Sequence, residues 1–597
     1  MQLLRDPQVR IAGAGGLLWA VGVLFAIAAT FARRGELVAV GLVAAYCGDV
    51  LIHAGDDRIP LWFAKRDLTA SHRAMLREVI PVFAWILVAG PGQPAVVAVV
   101  LAVLGVHAAH LGFRLLTSQQ AALRHGRLGW ENLEVDGEQH GQVRLEPILP
   151  TFGPVRGRRT LLLCDLPLVV GLTVSWSGAL EWPAVAGATV TLVLVAACVA
   201  LAQRRSALVR RLPTAIEENQ RLRVAVERLG PEVVVYFSGP VGTTYQLNVW
   251  LETLARVRRR VLLVIRERHH LDDLVGTDLP IVIAPRAVDV EFIHTDSVLV
   301  ALYPTTVIRN NHMIRIPGIR HVFINHGDGD KSVTFSPLHR VFDEIWVAGQ
   351  AACDRYLRRG EGIRADQLVV VGRPQLAHIE PRRPLDPSRP VTVLYAPTWE
   401  GNFDNVDYSS VARMGEGLVE ALLGASPRIR LLLKMHPATG NRSSAAAGAR
   451  AAIEARVRAA PNGEVVDSSP DALYDAFNAC DVLVADVSSV VADFLASRKP
   501  YVMTNPRDLS VEALHREFPS TSGAAVVGGD GSGVADLVRE AVTADPLRSQ
   551  RETLAAYFLG DPVDDPAGRF ADEVDAACDR ARSRHARAHV ADGLALP

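Results

Sequence analysis

The chain has 597 residues, too many for one ordinary domain, and its 63 Lys and Arg against 64 Asp and Glu give a net charge of −1. That balance excludes the global basic signature of a protein that binds nucleic acid. Six cysteines, at Cys47, Cys164, Cys198, Cys353, Cys480 and Cys578, form no CxxC pair, so neither a disulfide framework nor a zinc site is indicated.

The first third is membrane-like and the rest reads as soluble α/β. Residues 11–31 are apolar and uncharged, close to the ~20 residues a spanning helix needs. They read as a first span rather than a signal peptide, because further apolar segments follow and no small-residue cleavage site stands out. Five more spans are expected at 37–52, 79–88, 94–113, 161–180 and 183–202, the third of them short. The basic residues of the loops (Arg58, Lys65, Arg66, Arg73 and Arg77; Arg114, Arg124, Arg127, Arg144, Arg156, Arg158 and Arg159; Arg204, Arg205, Arg210 and Arg211) then fall on the same side as Arg5 and Arg10. Arg33 and Arg34 dissent. The positive-inside rule places both termini and the soluble part in the cytoplasm, in a multi-pass protein of the cell membrane. Asp49 and His53, one helical turn apart, are expected to reach the interface, as are His107 and His110. An intramembrane polar site is the alternative.

Residues 213–230 read as a linker helix with Glu217, Glu218 and Arg221 on a solvated face. Strands are expected at 233–237, 261–266, 280–284, 297–302, 321–325 and 344–348, separated by helical or loop stretches. A break rich in proline, 373–390, precedes a second cycle with strands at 391–396, 429–434, 464–467, 482–485 and 501–504. Such alternation means doubly wound parallel sheets. The expected organisation is a membrane domain over 1–212, an N-terminal Rossmann-like domain over 231–375 and a second over 376–597, whose end beyond Arg580 is expected to fray.

Four loops leave strands at the edge where α/β folds bind ligands. The stretch Asp486-Val-Ser-Ser489 lies between a strand and a helix, where Ser488 and Ser489 either cap the helix or present its N–H groups to a phosphate. Asp493 follows on the same helix face as Ser489, as a site residue or a surface carboxylate. In Asn325-His-Gly-Asp-Gly-Asp-Lys331, His326 is a candidate general base or a structural histidine. Lys331 supplies a point charge for phosphate. Asp328 and Asp330 suit either a metal or a turn. In Ala396-Pro-Thr-Trp-Glu-Gly401, Thr398 can donate to a phosphate and Trp399 is expected to pack. In Lys434-Met-His-Pro437, Lys434 and His436 suit a diphosphate.

Together these motifs resemble the CDP-glycerol glycerophosphotransferase family, the teichoic-acid primase and polymerase group. The resemblance covers about 232–561 and is carried by His326-Gly327 with Lys331, Ala396-Pro-Thr-Trp399, Lys434-Met-His-Pro437, and Asp486-Val-Ser-Ser489 with Asp493. It implies a two-domain GT-B fold, and transfer of glycerol phosphate from CDP-glycerol to a lipid-linked polyol-phosphate acceptor. It also implies His326 as base, with His436, Ser488 and Ser489 on the diphosphate. No cofactor is required, and there is room for a divalent cation. Asn325, Glu400 and Gln375 depart from the family's usual residues, and the six spans depart from its usual monotopic anchor. A sugar-nucleotide glycosyltransferase and a non-catalytic membrane scaffold or export partner are the alternatives.

Overall fold

The computed structural model describes residues 7–54, 70–90, 94–125, 127–141, 164–178, 180–209, 215–330, 336–359, 362–384, 386, 388–401, 407–425, 429–467 and 471–594. It forms two compact units, one from 1–126 and 143–214, the other from 127–142 and 215–597.

The first unit contains six described apolar helices: α1 (Pro7–Phe31), α2 (Gly35–Ala54), α3 (Ala70–Ala89), α4 (Pro94–His125), α5 (Leu166–Gly178) and α6 (Trp182–Val209). Among the described residues, three helical stretches are long and apolar enough to cross a membrane: Ile11–Phe31, Gly35–Ile52 and Trp182–Arg204. Ala95–Ala109 and Leu166–Trp176 are shorter apolar stretches. Part of the expected span at 161–180 lies outside the described residues. Helices α1 and α2 pack through reciprocal glycines. A Cβ on Gly22 would come 2.6 Å from the Gly41 carbonyl, and one on Gly15 would come 2.7 Å from that of Gly48. Small residues let two backbones approach where lipid supplies no hydrophobic drive between helices.

Two expectations are corrected here. The third apolar segment belongs to a longer helix, 70–89, and Arg73 and Arg77 lie on it instead of in a loop. Both are buried, as is Asp49, which therefore does not reach into the interface. Asp49 accepts from Arg73 Nε at 2.7 Å and also from Arg77. The Arg77 guanidinium lies 4.3 Å from the Tyr46 ring centre. Next to it, His107 Nε2 and Glu78 Oε2 are 2.7 Å apart. A hydropathy reading stops at each charge, but paired charges can continue a buried helix. The side chains of His53 and His110 lie outside what is described.

The second unit holds two sheets. The first is ordered β1-β4-β3-β2-β5-β6-β7-β8, from β1 (Gly129–Glu131), β2 (Val233–Phe237), β3 (Val261–Ile265), β4 (Ile281–Ile283), β5 (Val300–Tyr303), β6 (Arg320–Phe323), β7 (Glu344–Val347) and β8 (Leu368–Val370). All pairs are parallel except β1 with β4. The second is ordered β11-β10-β9-β12-β13-β14, from β9 (Val391–Ala396), β10 (Ile429–Leu433), β11 (Gly463–Val465), β12 (Val482–Ala485), β13 (Tyr501–Thr504) and β14 (Ala525–Val527), and is entirely parallel. Strands such as VVVYF and VLVA are buried throughout, because helices cover both faces. The chain reverses direction across each sheet between β2 and β5 and between β9 and β12, which places the ligand crevices of this architecture there.

Three strands escape the sequence pattern: β1, β8 and β14, each three residues long. β1 comes from the segment between α4 and α5. Its neighbour Asn132 donates to the carbonyls of Thr277 and Leu279 at 2.6 and 3.2 Å. The helix Ala215–Leu229 packs Leu222, Ala225 and Val226 into the core of the first sheet. Glu218 is buried against Arg127, not solvated. The last helix, Pro566–Leu594, returns to the first sheet, where Phe570, Val574, Ala577, Cys578 and Ala581 are buried. It does not fray at Arg580, because Arg580 pairs with Glu344 and Glu573, and Arg582 with Glu232.

The buried Asp49 pairs yield a stability prediction. Asp49→Ala should cost about 3–5 kcal/mol, since removing one partner leaves buried guanidinium groups short of an acceptor. Asp49→Asn, which keeps an acceptor oxygen, should cost less. Thermal unfolding in detergent measures both, and a wild-type midpoint for Asp49→Ala would mean that the pairs do not stabilise the bundle.

Candidate functional site

The site is built from loops that leave β6, β8, β9, β10 and β12 at their C-terminal ends. After β6 the chain turns at Asn325, whose φ of 55° is left-handed. Asparagine tolerates that region because its short amide bonds locally. Here the Asn325 side chain donates to the Gly327 carbonyl and accepts from the His326 N–H, while Trp250 Nε1 donates to the Asn325 carbonyl at 2.6 Å. The turn is thus pinned from both sides, with His326 at its tip.

His326 Nδ1 lies 3.2 Å from the Pro304 carbonyl. A carbonyl can only accept, so Nδ1 carries the proton and Nε2 is left with its lone pair. The Tyr245 ring meets the imidazole edge-on at 5.9 Å. Burial lowers the His326 pKa to about 4, and the Arg373 charge pushes the same way against the Pro304 carbonyl. The ring is therefore neutral at physiological pH.

His436, after β10, has the opposite arrangement. Its Nδ1 accepts from the Ala438 N–H at 3.1 Å, which puts the proton of the neutral ring on Nε2. Trp399 stacks on it with ring centres 6.1 Å apart and planes at 19°. Lys434, just before it, is buried, and burial lowers its amine to about 8 although Asp467 opposes the shift. Glu400 holds the following turn. Its carboxylate accepts from the N–H groups of Gly440, Arg442 and Ser443 at 3.0–3.1 Å. Burial would raise the Glu400 pKa, but these backbone donors hold it below the ordinary value.

At the end of β12, buried Asp486 accepts from the Thr398 N–H at 2.8 Å, the Ser410 N–H at 3.1 Å and the Thr504 hydroxyl. This brings the Thr398 loop beside the Ser488–Ser489 turn. Ser488 is the residue before the helix Ser489–Phe494, but its side chain makes no capping bond and donates to the Asp486 carbonyl at 3.3 Å. The β6 loop also reaches this turn. A Cβ on Gly329 would stand 3.1 Å from Ser489 N, closer than a side chain is comfortably accommodated.

Asp493 is buried and is not a surface carboxylate. It faces Arg373, whose Nε lies 3.1 Å from Oδ1. The second guanidinium nitrogen donates to the His326 carbonyl at 2.9 Å. Nothing local in the sequence singles out Arg373, which sits in the proline-rich break in a Gly-Arg-Pro setting that gives no sign of a partner. Asp328 and Asp330 both face Arg355, and Asp330 also accepts from the Ser520 N–H at 2.8 Å. Among the described residues no group of three His, Cys, Asp or Glu side chains is arranged to hold a metal ion. Lys331 lies outside the described residues. The structure thus links His326 to Asp493 through Arg373, brings the His326 loop against Ser489 at Gly329, and ties Thr398 to the same turn through Asp486.

Comparison with known proteins fits part of this site. Residues 355–511 match the model of the CDP-Glycerol:Poly(glycerophosphate) glycerophosphotransferase family. That segment contains Arg373, Thr398, Lys434, His436, Ser488, Ser489 and Asp493, while His326 and Lys331 lie outside it. No curated protein sequence matches the chain. Among solved structures, the wall teichoic acid polymerase TagF is 14% identical, with 61% of this chain and 95% of that one covered and a TM-score of 0.39. HepE of Anabaena, solved with UDP-glucose, is 13% identical over 58% and 99% of the two chains, with a TM-score of 0.37. The UDP-GlcNAc 2-epimerase of Neisseria meningitidis is 11% identical over 57% and 98%, with a TM-score of 0.38. The segment 355–511 therefore carries the sequence pattern of the CDP-glycerol glycerophosphotransferases.

Proposed function

We propose that this protein is a membrane-bound transferase that moves glycerol phosphate, or a related polyol phosphate, from CDP-glycerol to a lipid-linked polyol-phosphate acceptor in the synthesis of a teichoic-acid-type wall polymer. In this reading the two sheets are the cores of two Rossmann-like halves of a GT-B fold. The first half takes the acceptor and the second takes the donor.

The observation that carries the reading is the pair of opposite tautomers. His326 Nε2 offers a lone pair and His436 Nε2 a proton. An acceptor hydroxyl gives its proton to His326 as its oxygen attacks the β-phosphorus of CDP-glycerol. The bond from that phosphorus to the bridging oxygen breaks and CMP leaves. His436, Lys434, Thr398 and the N–H groups at Ser488 and Ser489 neutralise the charge spreading over the phosphoryl oxygens, which is most of what such a transfer asks of a protein. Lys331 adds a further charge. Asp493 acts through Arg373 and does not touch the phosphate.

The membrane reading gains support from the fold. Residues 127–142 and 215–597 belong to one folded unit, which supports a topology with β1 on the same side of the membrane as the two sheets. Helices α5 and α6 together then cross an even number of times. This agrees with six spans and a cytoplasmic catalytic part, where a nucleotide donor is found. A reporter fused after Arg211 should read as cytoplasmic, and an external signal would remove the reading.

His326→Ala should lower kcat by about 10²–10⁴-fold, the usual worth of a general base, with CDP-glycerol affinity near normal. His436→Ala should damage donor affinity as well as rate. The pH profile gives a separate check. The base works when neutral, so kcat/KM should fall only as pH drops through about 4, the value for His326. Lys434 works when charged, so kcat/KM should also fall as pH rises through about 8, and Lys434→Arg should abolish this alkaline limb. An acid limb near 6.5, the value of a free imidazole, would remove His326 from the role of base.

Ser488→Ala combined with Ser489→Ala should weaken CDP-glycerol binding with little loss of stability, since no capping bond is broken. Unchanged donor affinity with a lowered melting temperature would instead make the pair structural.

A further inference from the structure

Arg373 joins the two sheets at the point where the proposed chemistry occurs. It follows β8 of the first sheet, after Gly372, whose φ of 81° turns the chain toward the second. Its side chain is only 7% exposed. On one side, Nε and Nη2 lie 3.1 and 3.4 Å from the two oxygens of Asp493, which sits on the helix that begins at Ser489. On the other, Nη2 donates to the His326 carbonyl at 2.9 Å. Tyr474 leans on the same carboxylate, with its hydroxyl 3.5 Å from Asp493 Oδ2.

We propose that Arg373 is a positioning residue that sets the separation between the His326 loop and the Ser488–Ser489 turn, using Asp493 as its anchor. This rests on the assignment of His326 as base and of the Ser turn as donor site. The chemistry of the contacts supports it. A carboxylate beside a diphosphate site would repel the ligand, and pairing with a guanidinium cancels that charge. Arginine suits the position because its rigid planar fork fixes the directions of the bonds to the carboxylate and the carbonyl, whereas the three donors of a lysine share one nitrogen on a flexible stem and do not set that separation. The loop it steadies has no slack, since Gly329 already lies against Ser489. Any retreat of the loop therefore moves the base away from the phosphorus.

The test uses the full-length protein in detergent or nanodiscs, with CMP release from CDP-glycerol as one readout and hydrogen exchange as the other. Arg373→Met should lower kcat by ~10²-fold, the cost of a displacement of about 1 Å in a reacting group, with a much smaller change in KM. Asp493→Asn should behave similarly, and the double variant should lose no more than the worse single one, as expected for residues that act as a unit. Arg373→Lys should fold as the wild type does and still lose rate. In both Arg373 variants, amide exchange should rise in 325–330 and in 488–494 together.

Wild-type kcat in Arg373→Lys and Arg373→Met would overturn the proposal, as would unchanged exchange in both segments. Loss of activity that merely tracks a lowered melting temperature, with normal rates well below it, would make Arg373 an ordinary structural ion pair and would also overturn it. Failure of the underlying reading looks different. There the wild type releases no CMP, or His326→Ala keeps full activity, and the exchange experiment alone then decides whether Arg373 couples the loop to the turn.

Discussion

Asp486 is fully buried at the end of β12, and its carboxylate meets groups from the exits of both neighbouring strands. It takes the N–H of Thr398 after β9, the N–H of Ser410 further along the same connection, and the hydroxyl of Thr504 at the end of β13. Burial pushes its pKa upward against those hydrogen bonds, so an ionised Asp486 is tolerated only while all of the donors are in place. One side chain thus fixes three adjacent loops at the point where the second sheet reverses direction. The Ser488–Ser489 turn begins two residues later, and its place relative to Thr398 follows from this anchor.

Elsewhere in the site, backbone groups set which nitrogen of each imidazole carries the proton. His326 and His436 are the same residue type at the ends of two strands, yet they carry their protons on opposite nitrogens. The difference comes from one neighbour each: a carbonyl at Pro304 that must accept, and an N–H at Ala438 that must donate. Neither neighbour needs a particular side chain. In the proposed reading, a base and a hydrogen-bond donor to phosphate are thereby distinguished by loop geometry, and the same principle explains Glu400. A negative residue near a proposed diphosphate site appears unfavourable until its oxygens are found occupied by the turn at 440–443.

Much of this was legible in the sequence because strand and site share one pattern. An apolar run such as Val482 to Ala485 ends where polar residues begin, and in a parallel sheet that boundary is the ligand edge. Where the pattern was short or the partner remote, it was silent. Gly129–Glu131 is too brief for alternation to register, and it becomes a strand only because β4 offers an open edge. Arg373 finds Asp493 across 120 residues, a distance no local rule spans. Arg73 and Arg77 looked like loop charges because hydropathy counts a charge but not its partner, and the partner Asp49 lies on another helix.

The short strand β1 also constrains how the chain can be assembled. Residues 127–142 are bracketed by apolar helices, yet they pair with β4 and contribute Arg127 to a buried bond with Glu218. Leu128, Leu133 and Val135 lie in the core of the first sheet. Those positions cannot be filled until residues 127–141 meet the chain from 215 onward. Without it, β4 is an open edge, with its backbone groups unpaired and Val282 and Ala284 less covered. In the proposed membrane arrangement, insertion and the closure of the first sheet would be linked events: a helix α4 inserted in the opposite direction would leave the second unit lacking part of its own core.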